Sequence, residues 1–127
     1  MAVTHATSLR NTLADAVDTA LGATANLRFR LSGTIGSPGT VVATLPMSAT
    51  PFGAASGGTI TANAITSDTN ATGNASPVAN ATLDNGATPL VHCAVAASAS
   101  DINMSGGLTI GAGDTVSCSS LTYTAPA

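Results

Sequence analysis

ATLDNGATPLVHCAV (Ala81–Val95) decides the fold, because it places a turn signal between two alternating apolar runs. Asn85-Gly86 is a pair favoured in two-residue type I′ hairpin turns, which require positive φ at both central residues. Every second residue is apolar before the turn (Ala79, Ala81, Leu83) and after it (Val91, Cys93, Val95). Pro89 lacks an N–H group, so the second strand should begin at a sheet edge or a β-bulge. The stretch predicts an antiparallel β-hairpin.

Alternation with a period of two continues on both sides of this hairpin. LRFRLSG (27–33) places three apolar side chains on one strand face, with Arg28 and Arg30 on the other. Further strands are predicted at 40–46, 59–65, 101–105, 108–110 and 115–124. Seven or eight short strands with turns every roughly 8–12 residues favour a mainly β fold. We therefore expect an antiparallel β-sandwich, Ig-like or jelly-roll-like, preceded by one N-terminal α-helix.

The last of these predicted strands changes its buried face partway. Val116 and Cys118 alternate in one phase. Leu121 and Tyr123 alternate in the other, one residue out of step. A two-against-one mismatch in a strand pair is a β-bulge, which redirects the side chains of the bulged strand. The sequence predicts such a bulge at Ser119-Ser120, at a sheet edge or where the strand crosses between sheets.

One helix is predicted, over residues 7–21. Its apolar residues recur at helical spacing and form one stripe: Leu9, Leu13, Ala16, Val17, Ala20 and Leu21. The polar residues Arg10, Asn11, Asp15 and Asp18 lie off that stripe. Thr4 or Thr7 is a candidate N-cap, and Gly22 suits the left-handed position after the last turn. The helix needs a surface to lie on, either its own sandwich or a partner. The predicted organisation is an arm and helix in residues 1–24 and the sandwich in residues 25–127, within a single domain.

Charge is scarce in this chain of 127 residues. Charged residues make up 7%, Lys and Glu are absent, and the formal net charge is -3. Nucleic-acid binding is not expected, because the chain has no basic patch and no aromatic platform. The first residues do not resemble a secretory signal, and no apolar run approaches the roughly 18 residues of a membrane span. We therefore expect no membrane partner and a protein that stays in the compartment where it is made, the cytoplasm of the cell that synthesises it.

The residues that could carry chemistry do not form a catalytic motif. His92 and Cys93 are neighbours in a predicted strand, so their side chains point to opposite faces and cannot readily share a zinc ion. DTNATG (68–73) and DINMSG (101–106) resemble the start of a calcium loop, but neither has the acidic residue that completes one, and Asx turns are the alternative. Cys93 and Cys118 are expected as reduced thiols, with a disulfide as the alternative. We predict no enzymatic activity, no metal and no cofactor.

Several stretches resemble small proteins encoded among the head and structural genes of tailed bacteriophages. They are VTHATSLRNTLADAVD (3–18), PFGAASGG (51–58), ANAITSDT (62–69) and LTIGAGDTVSCSSLTYTAP (108–126). The resemblance follows the order of the chain and covers most of it. It implies a structural role in the virion, and it implies no catalytic residues.

This resemblance and the low charge favour a capsid decoration or cement protein on the capsid surface of the virion. The expected partners are the major capsid protein and copies of the chain itself, as a homo-oligomer within the particle. Few charges leave strand edges unguarded and open to pairing, and weak contacts in a lattice sum through multivalency. The predicted partner-contact residues are Arg10, Arg28, Arg30 and Phe52. A solvated face is the alternative for Arg28 and Arg30, and Phe52 is also expected to insert into the body.

Two other functions stay open from the sequence. A tail or fibre component would have a different place in the same particle. A carbohydrate-binding or adhesion module would also suit a β-sandwich, but such platforms usually need exposed aromatic rings, and this chain has no Trp and a single Tyr, Tyr123.

Overall fold

The computed structural model describes residues 3–127, and within them the chain forms one α-helix and nine short strands. In chain order the elements are α1 (Thr7–Leu21), a 3₁₀ turn (Gly22–Thr24), β1 (Asn26–Arg30), β2 (Gly33–Thr34), β3 (Ser37–Pro38), β4 (Val41–Pro46), β5 (Thr59–Thr61), β6 (Asn80–Asp84), β7 (Pro89–Ala96), β8 (Ile102–Asn103) and β9 (Thr122–Thr124). The predicted mainly β fold with one N-terminal helix is confirmed.

Five of the strands form a sheet with the order β4-β1-β6-β7-β8. All its pairs are antiparallel except β7 with β8. The register places Phe29 of β1 between Ala43 of β4 and Ala81 of β6. The remaining strands form two small antiparallel pairs, β2–β3 and β5–β9.

One hydrophobic core joins the five-stranded sheet, the β5–β9 pair and α1, which gives the fold its sandwich-like layers. The largest fully buried apolar side chains are Leu21, Leu27, Leu45, Phe52 and Ile60. Much of the remaining core consists of Ala and Val, and small side chains bury little apolar area each. Because α1 and the strands share this core, the helix is part of the same folded unit as the sheet.

The predicted hairpin forms between β6 and β7, but its turn differs from the expected one. Asn85 has a negative φ, whereas Gly86 has a φ of 107°. The side-chain oxygen of Asn85 accepts hydrogen bonds from the amides of Ala87 and Thr88 at 3.2 and 2.8 Å, which makes an Asx turn. The type I′ prediction is therefore wrong. The pairing of β6 with β7 shifts register between Leu83 and Asp84, and Asp84 lies opposite Pro89 at the start of β7. This shift confirms the bulge expected from Pro89.

The C-terminal change of face is present, but it is not a β-bulge. Val116 forms an isolated bridge with Asp68, and the next strand pairing begins only at Thr122, opposite Thr61 of β5. The intervening Ser119-Ser120 belongs to no strand. The chain leaves one partner and joins another, so the pairing is interrupted, and the prediction of one continuous bulged strand is wrong.

Three other predicted strands are shorter or absent. The strand expected at 101–105 is regular only over Ile102–Asn103. The strand expected at 59–65 is regular only over Thr59–Thr61, and isolated bridges follow at Ala62 and Ile65. The segment 108–110 forms no strand, although its carbonyls accept hydrogen bonds from amides in the 74–78 segment.

The outer edge of β4 is covered, contrary to the expectation that strand edges are open. The amide of Thr66 donates to the carbonyl of Pro46 at 2.8 Å, and the amide of Gly73 donates to the carbonyl of Val42 at 3.0 Å. Between them, Asp68 Oδ2 accepts a hydrogen bond from the amide of Thr44 at 2.9 Å. The segment 66–73 therefore occupies an edge that could otherwise pair with a neighbouring chain.

The helix has the predicted limits but does not pack through the predicted stripe. Its fully buried residues are Ala14 and Leu21, and the half-buried residues on the same side are Arg10, Asn11, Val17 and Asp18. Leu9, Leu13, Ala16 and Ala20 are exposed. The N-cap is Ala6, without a side-chain cap, so the prediction of a Thr cap is wrong. Gly22 follows the last turn as expected, with a φ of 69°.

No helix within residues 3–127 is long and apolar enough to cross a bilayer.

Candidate interaction site

Two arginines and one aspartate form an ionic cluster on the face of the sheet opposite the core. Arg28 Nη1 donates to Asp84 Oδ2 at 2.7 Å, and Arg30 Nη2 donates to the same oxygen at 3.1 Å. The side chains of Arg28, Arg30 and Asp84 are 23%, 7% and 0% exposed. Because β1 and β6 are neighbours, the alternation that places both arginines on one face also brings them to the carboxylate of the adjacent strand.

Arg30 is held entirely by its own chain. Its Nε donates to Thr82 Oγ1 at 3.0 Å, and its Nη1 donates to the carbonyl of Gly39 at 2.7 Å, in addition to the bond to Asp84. Burying a guanidinium is unfavourable unless a counter-charge and hydrogen bonds compensate it, and here both are present. The expectation that Arg30 lies on a solvated or partner-facing strand face is therefore wrong.

Arg28 keeps donors at the surface. Within residues 3–127 it makes a single side-chain hydrogen bond, to Asp84, and part of its guanidinium reaches solvent. His92 of β7 is exposed and lies opposite Thr82, on the far side of β6 from Arg28. The fold therefore presents part of the charged group of Arg28 to a partner.

Arg10 and Phe52 both contact the body of the fold. Arg10 Nη2 donates to the carbonyl of Ala125 at 3.3 Å, and its Nε is buried. The Arg10 guanidinium also lies against Gly58, where an added Cβ would be 2.8 Å from the Arg10 Cζ. Phe52 is fully buried, which confirms that it inserts into the body. Phe52 is not displayed to a partner and is corrected to a structural residue, whereas Arg10 is half-buried and keeps part of its guanidinium at the surface.

Polar side chains of α1 bind the backbone of the loop that contains Phe52. Asn11 Oδ1 accepts from the amide of Gly58 at 2.7 Å, and Asp15 Oδ1 accepts from the amide of Ala55 at 2.8 Å. Asp18 Oδ1 accepts from the amide of Phe52 at 2.9 Å. The sequence analysis did not predict this contact. The signal for it was the spacing of Asn11, Asp15 and Asp18 by four and three residues, which places three hydrogen-bond acceptors on one helix face.

The remaining aspartates also bind backbone amides. Asp68 accepts from the amide of Asn70 at 3.0 Å as well as from β4. Asp101 accepts from Ala94, and Asp114 accepts from Gly111, at 2.9 and 2.7 Å. The Asp68–Asn70 contact is an Asx turn, the alternative to a calcium loop. Each of the six aspartates in the sequence thus has a partner in its own chain.

A cleft of about 490 Å³ lies between the 101–107 and 114–122 segments. Its lining combines Ser and Thr hydroxyls and two glycines with apolar side chains, among them Phe29 and Leu121, and it includes Asp101, Asp114 and Cys118. Both aspartates are engaged by amides, and no group of three or more His, Cys, Asp or Glu side chains that could hold a metal occurs in residues 3–127. The cleft thus has a mixed polar and apolar wall without an acid–base pair.

Both cysteines are free thiols, as expected. Cys93 lies in β7, whereas Cys118 lies outside the strands, which corrects its predicted position. Burial raises the pKa of Cys93 to about 11, and the neighbouring Asp101 carboxylate adds to the effect. Burial also raises the pKa of Cys118. Both thiols are therefore protonated and weakly nucleophilic near neutral pH.

Apolar side chains are exposed on several elements. The large ones are Val3, Leu9, Leu13, Ile35 and Leu90. Single exposed apolar residues are ordinary on protein surfaces, but Leu9 and Leu13 are one turn apart on the same helix face. The surface therefore offers an apolar helix face and a half-exposed arginine as its two specific features.

Comparison with known proteins gives no match to a family model, to a curated protein sequence or to a solved structure.

Proposed function

We propose that this chain is a non-enzymatic structural protein of a phage virion, a decoration or cement protein that binds the major capsid protein and copies of itself on the capsid surface. The observation that carries the proposal is the internal use of charge. All six aspartates, and all three arginines, bind groups of their own chain, while large apolar side chains remain exposed.

A surface of this kind favours short-range contacts over electrostatic attraction. Long-range steering of a charged ligand requires a concentrated patch of charge, and charged residues make up only 7% of this chain. Contacts must then come from apolar side chains, hydroxyls and backbone groups. Each contact is weak, but a shell presents many copies at high local concentration, where weak contacts sum.

Arg28 is the proposed exception, as a polar contact to the shell. Its free N–H groups suit a carboxylate on a capsid subunit, because a guanidinium binds carboxylates in a directed, two-donor geometry. Arg30 holds Asp84 in place beneath it, so Arg28 can turn one side of its guanidinium to a partner without leaving the carboxylate unpaired.

The test uses capsids assembled from the same genome with this gene deleted. Purified protein is added, the particles are sedimented, and the bound protein is quantified. We expect saturable binding, and about tenfold weaker binding for Arg28→Met, the loss of one charged hydrogen bond of roughly 1.5 kcal/mol. Asp101→Asn is the matched control, because Asp101 is exposed and lies away from the ionic cluster.

Failure to bind such capsids would refute the decoration role. A map of the complete particle provides the second measurement: density for this chain in the tail or fibre instead of on the shell would also overturn the proposal.

A further inference from the structure

The exposed apolar face of α1 is the surface feature that the fold leaves unexplained. We define the α1 seam as Leu9, Leu13, Ala16 and Ala20, all exposed. The helix is attached to the body through its other side, by Ala14, Leu21 and the polar contacts to the 51–58 loop. The seam is therefore free while the helix is already anchored.

The spacing of the seam indicates a helical partner. Its residues are separated by four, three and four positions, which is the a/d spacing of a coiled coil and narrower than the stripe of a helix that lies on a sheet. Within residues 3–127, α1 is the one α-helix. A second copy of this chain therefore supplies a helix with the same spacing and the same free face.

We propose that α1 pairs with α1 of a second copy, antiparallel, through this seam. The seam residues are placed symmetrically about a point between Ala14 and Asp15, close to the middle of the helix. In the antiparallel pairing Leu9 meets Ala20 of the second copy, and Leu13 meets its Ala16. Each large side chain then faces a small one, as a self-complementary two-fold interface requires. A parallel pairing would place Leu against Leu at one end and Ala against Ala at the other, which separates the helices unevenly.

The electrostatics favour the same direction. Antiparallel helices place the positive N-terminal end of one dipole beside the negative C-terminal end of the other. The seam itself carries no charge. The three charged residues of α1 (Arg10, Asp15 and Asp18) lie off the seam, where each binds a backbone group of the body. No charged side chain is therefore part of the proposed contact.

The contact is small. Four side chains per helix bury well below the ~1,200 Å² of total surface that stable interfaces usually reach. The pairing is therefore weak in dilute solution and becomes populated at high local concentration. The inference deepens the proposed function by naming the part of the chain that joins copies. It rests on the proposed function in one respect, because it is the crowding of copies on a shell that would supply the high local concentration.

Sedimentation equilibrium of the purified chain, without capsids, tests the pairing. We expect a monomer–dimer equilibrium in the high micromolar to millimolar range for the unmodified chain and at least tenfold weaker association for Leu13→Gln. The control is Leu90→Gln, because Leu13 and Leu90 are 38% and 39% exposed and Leu90 lies on β7. Circular dichroism checks that both variants keep the fold. A monomer at millimolar concentration, or equal weakening by both substitutions, would overturn the proposal.

Cysteine crosslinking tests the direction, in a Cys93→Ser, Cys118→Ser background. The Leu9→Cys protein and the Ala20→Cys protein are each oxidised alone, and an equimolar mixture of the two reduced proteins is oxidised in parallel. Antiparallel pairing predicts a disulfide-linked dimer in the mixture alone, whereas self-crosslinking of each variant would refute it. Both experiments omit the capsid. A chain that dimerises but does not bind shells would refute the proposed function and leave this inference standing. A chain that binds shells but does not dimerise would refute this inference and leave the proposed function standing.

Discussion

Asp84 is the residue whose substitution tests the physical basis of the sheet most directly. Asp84→Asn keeps the shape of the side chain and removes its charge. Asp84 Oδ1 has no hydrogen-bond partner within residues 3–127, so the new amide group displaces no existing bond. The main change is that the guanidinium of Arg30, 7% exposed, loses its counter-charge.

The expected destabilisation follows from burial. Removing one partner of a buried ion pair typically lowers the free energy of unfolding by about 3–5 kcal/mol, because the other charge remains buried. We expect about 3 kcal/mol here, since the asparagine carbonyl still accepts a hydrogen bond and Arg28 can turn toward solvent. At about 4 °C per kcal/mol for a domain of this size, the Tm falls by about 12 °C.

Urea denaturation of a double-mutant cycle measures the effect and assigns it. Arg30→Met and Arg28→Met are each combined with Asp84→Asn. We expect a coupling free energy above about 2 kcal/mol for Arg30 and below about 1 kcal/mol for the more exposed Arg28. Asp101→Asn, at an exposed carboxylate, should change stability by less than about 0.5 kcal/mol. A loss below about 1 kcal/mol for Asp84→Asn, or stronger coupling to Arg28 than to Arg30, would refute this reasoning.

Two further predictions concern backbone packing and thiol reactivity. In thermal unfolding, Gly73→Ala should destabilise the protein by about 2 kcal/mol or more beyond the matched control Gly22→Ala. The two glycines have similar φ values, 67° and 69°, but an added Cβ at Gly73 would lie 2.3 Å from the backbone of the 111–112 segment, whereas at Gly22 it meets open space. Equal losses of stability would contradict the close approach at Gly73. In iodoacetamide labelling followed by peptide mass spectrometry at pH 8, Cys93 should react more slowly than Cys118, since burial and Asp101 together raise the pKa of Cys93 to about 11. The raised pKa also means that the folded state favours the neutral Cys93 thiol, so this contribution to stability is complete below pH 9 and is lost as pH rises toward 11. Faster labelling of Cys93 than of Cys118 would contradict the expected order of reactivity. Stability that does not fall between pH 9 and 11 relative to Cys93→Ala would contradict the expected pH dependence.

Local pattern was sufficient for the elements that depend on neighbouring residues alone. The limits of α1, the β1 and β4 strands and the β6–β7 hairpin follow from helical or two-residue periodicity together with Gly22, Pro89 and the Asn85-Gly86 pair. Periodicity is a property of the chain itself, and turn residues stop it, so these features can be read without knowing what packs against them.

Tertiary structure decided which faces are buried. The stripe containing Leu9 and Leu13 is the more apolar side of α1, yet the fold buries the side with Asn11 and Asp18. Part of the reason is that the 51–58 loop presents partly buried backbone amides, those of Phe52 and Gly58, and leaving such an amide without an acceptor is more unfavourable than exposing a leucine. A helix pattern shows which residues share a face, but it does not show what the rest of the chain brings to that face.

The same reason explains the candidate site. The sequence placed Arg28 and Arg30 on one strand face but could not show that β6 lies beside β1, which brings Asp84 within 2.7 and 3.1 Å of them. Strand order is set by contacts between residues more than fifty positions apart, and alternation along one strand carries no information about its neighbour. The residue types and their faces were thus fixed by the chain, whereas the burial of Arg30 and the exposure of Arg28 and of the α1 seam were decided by which segments came together.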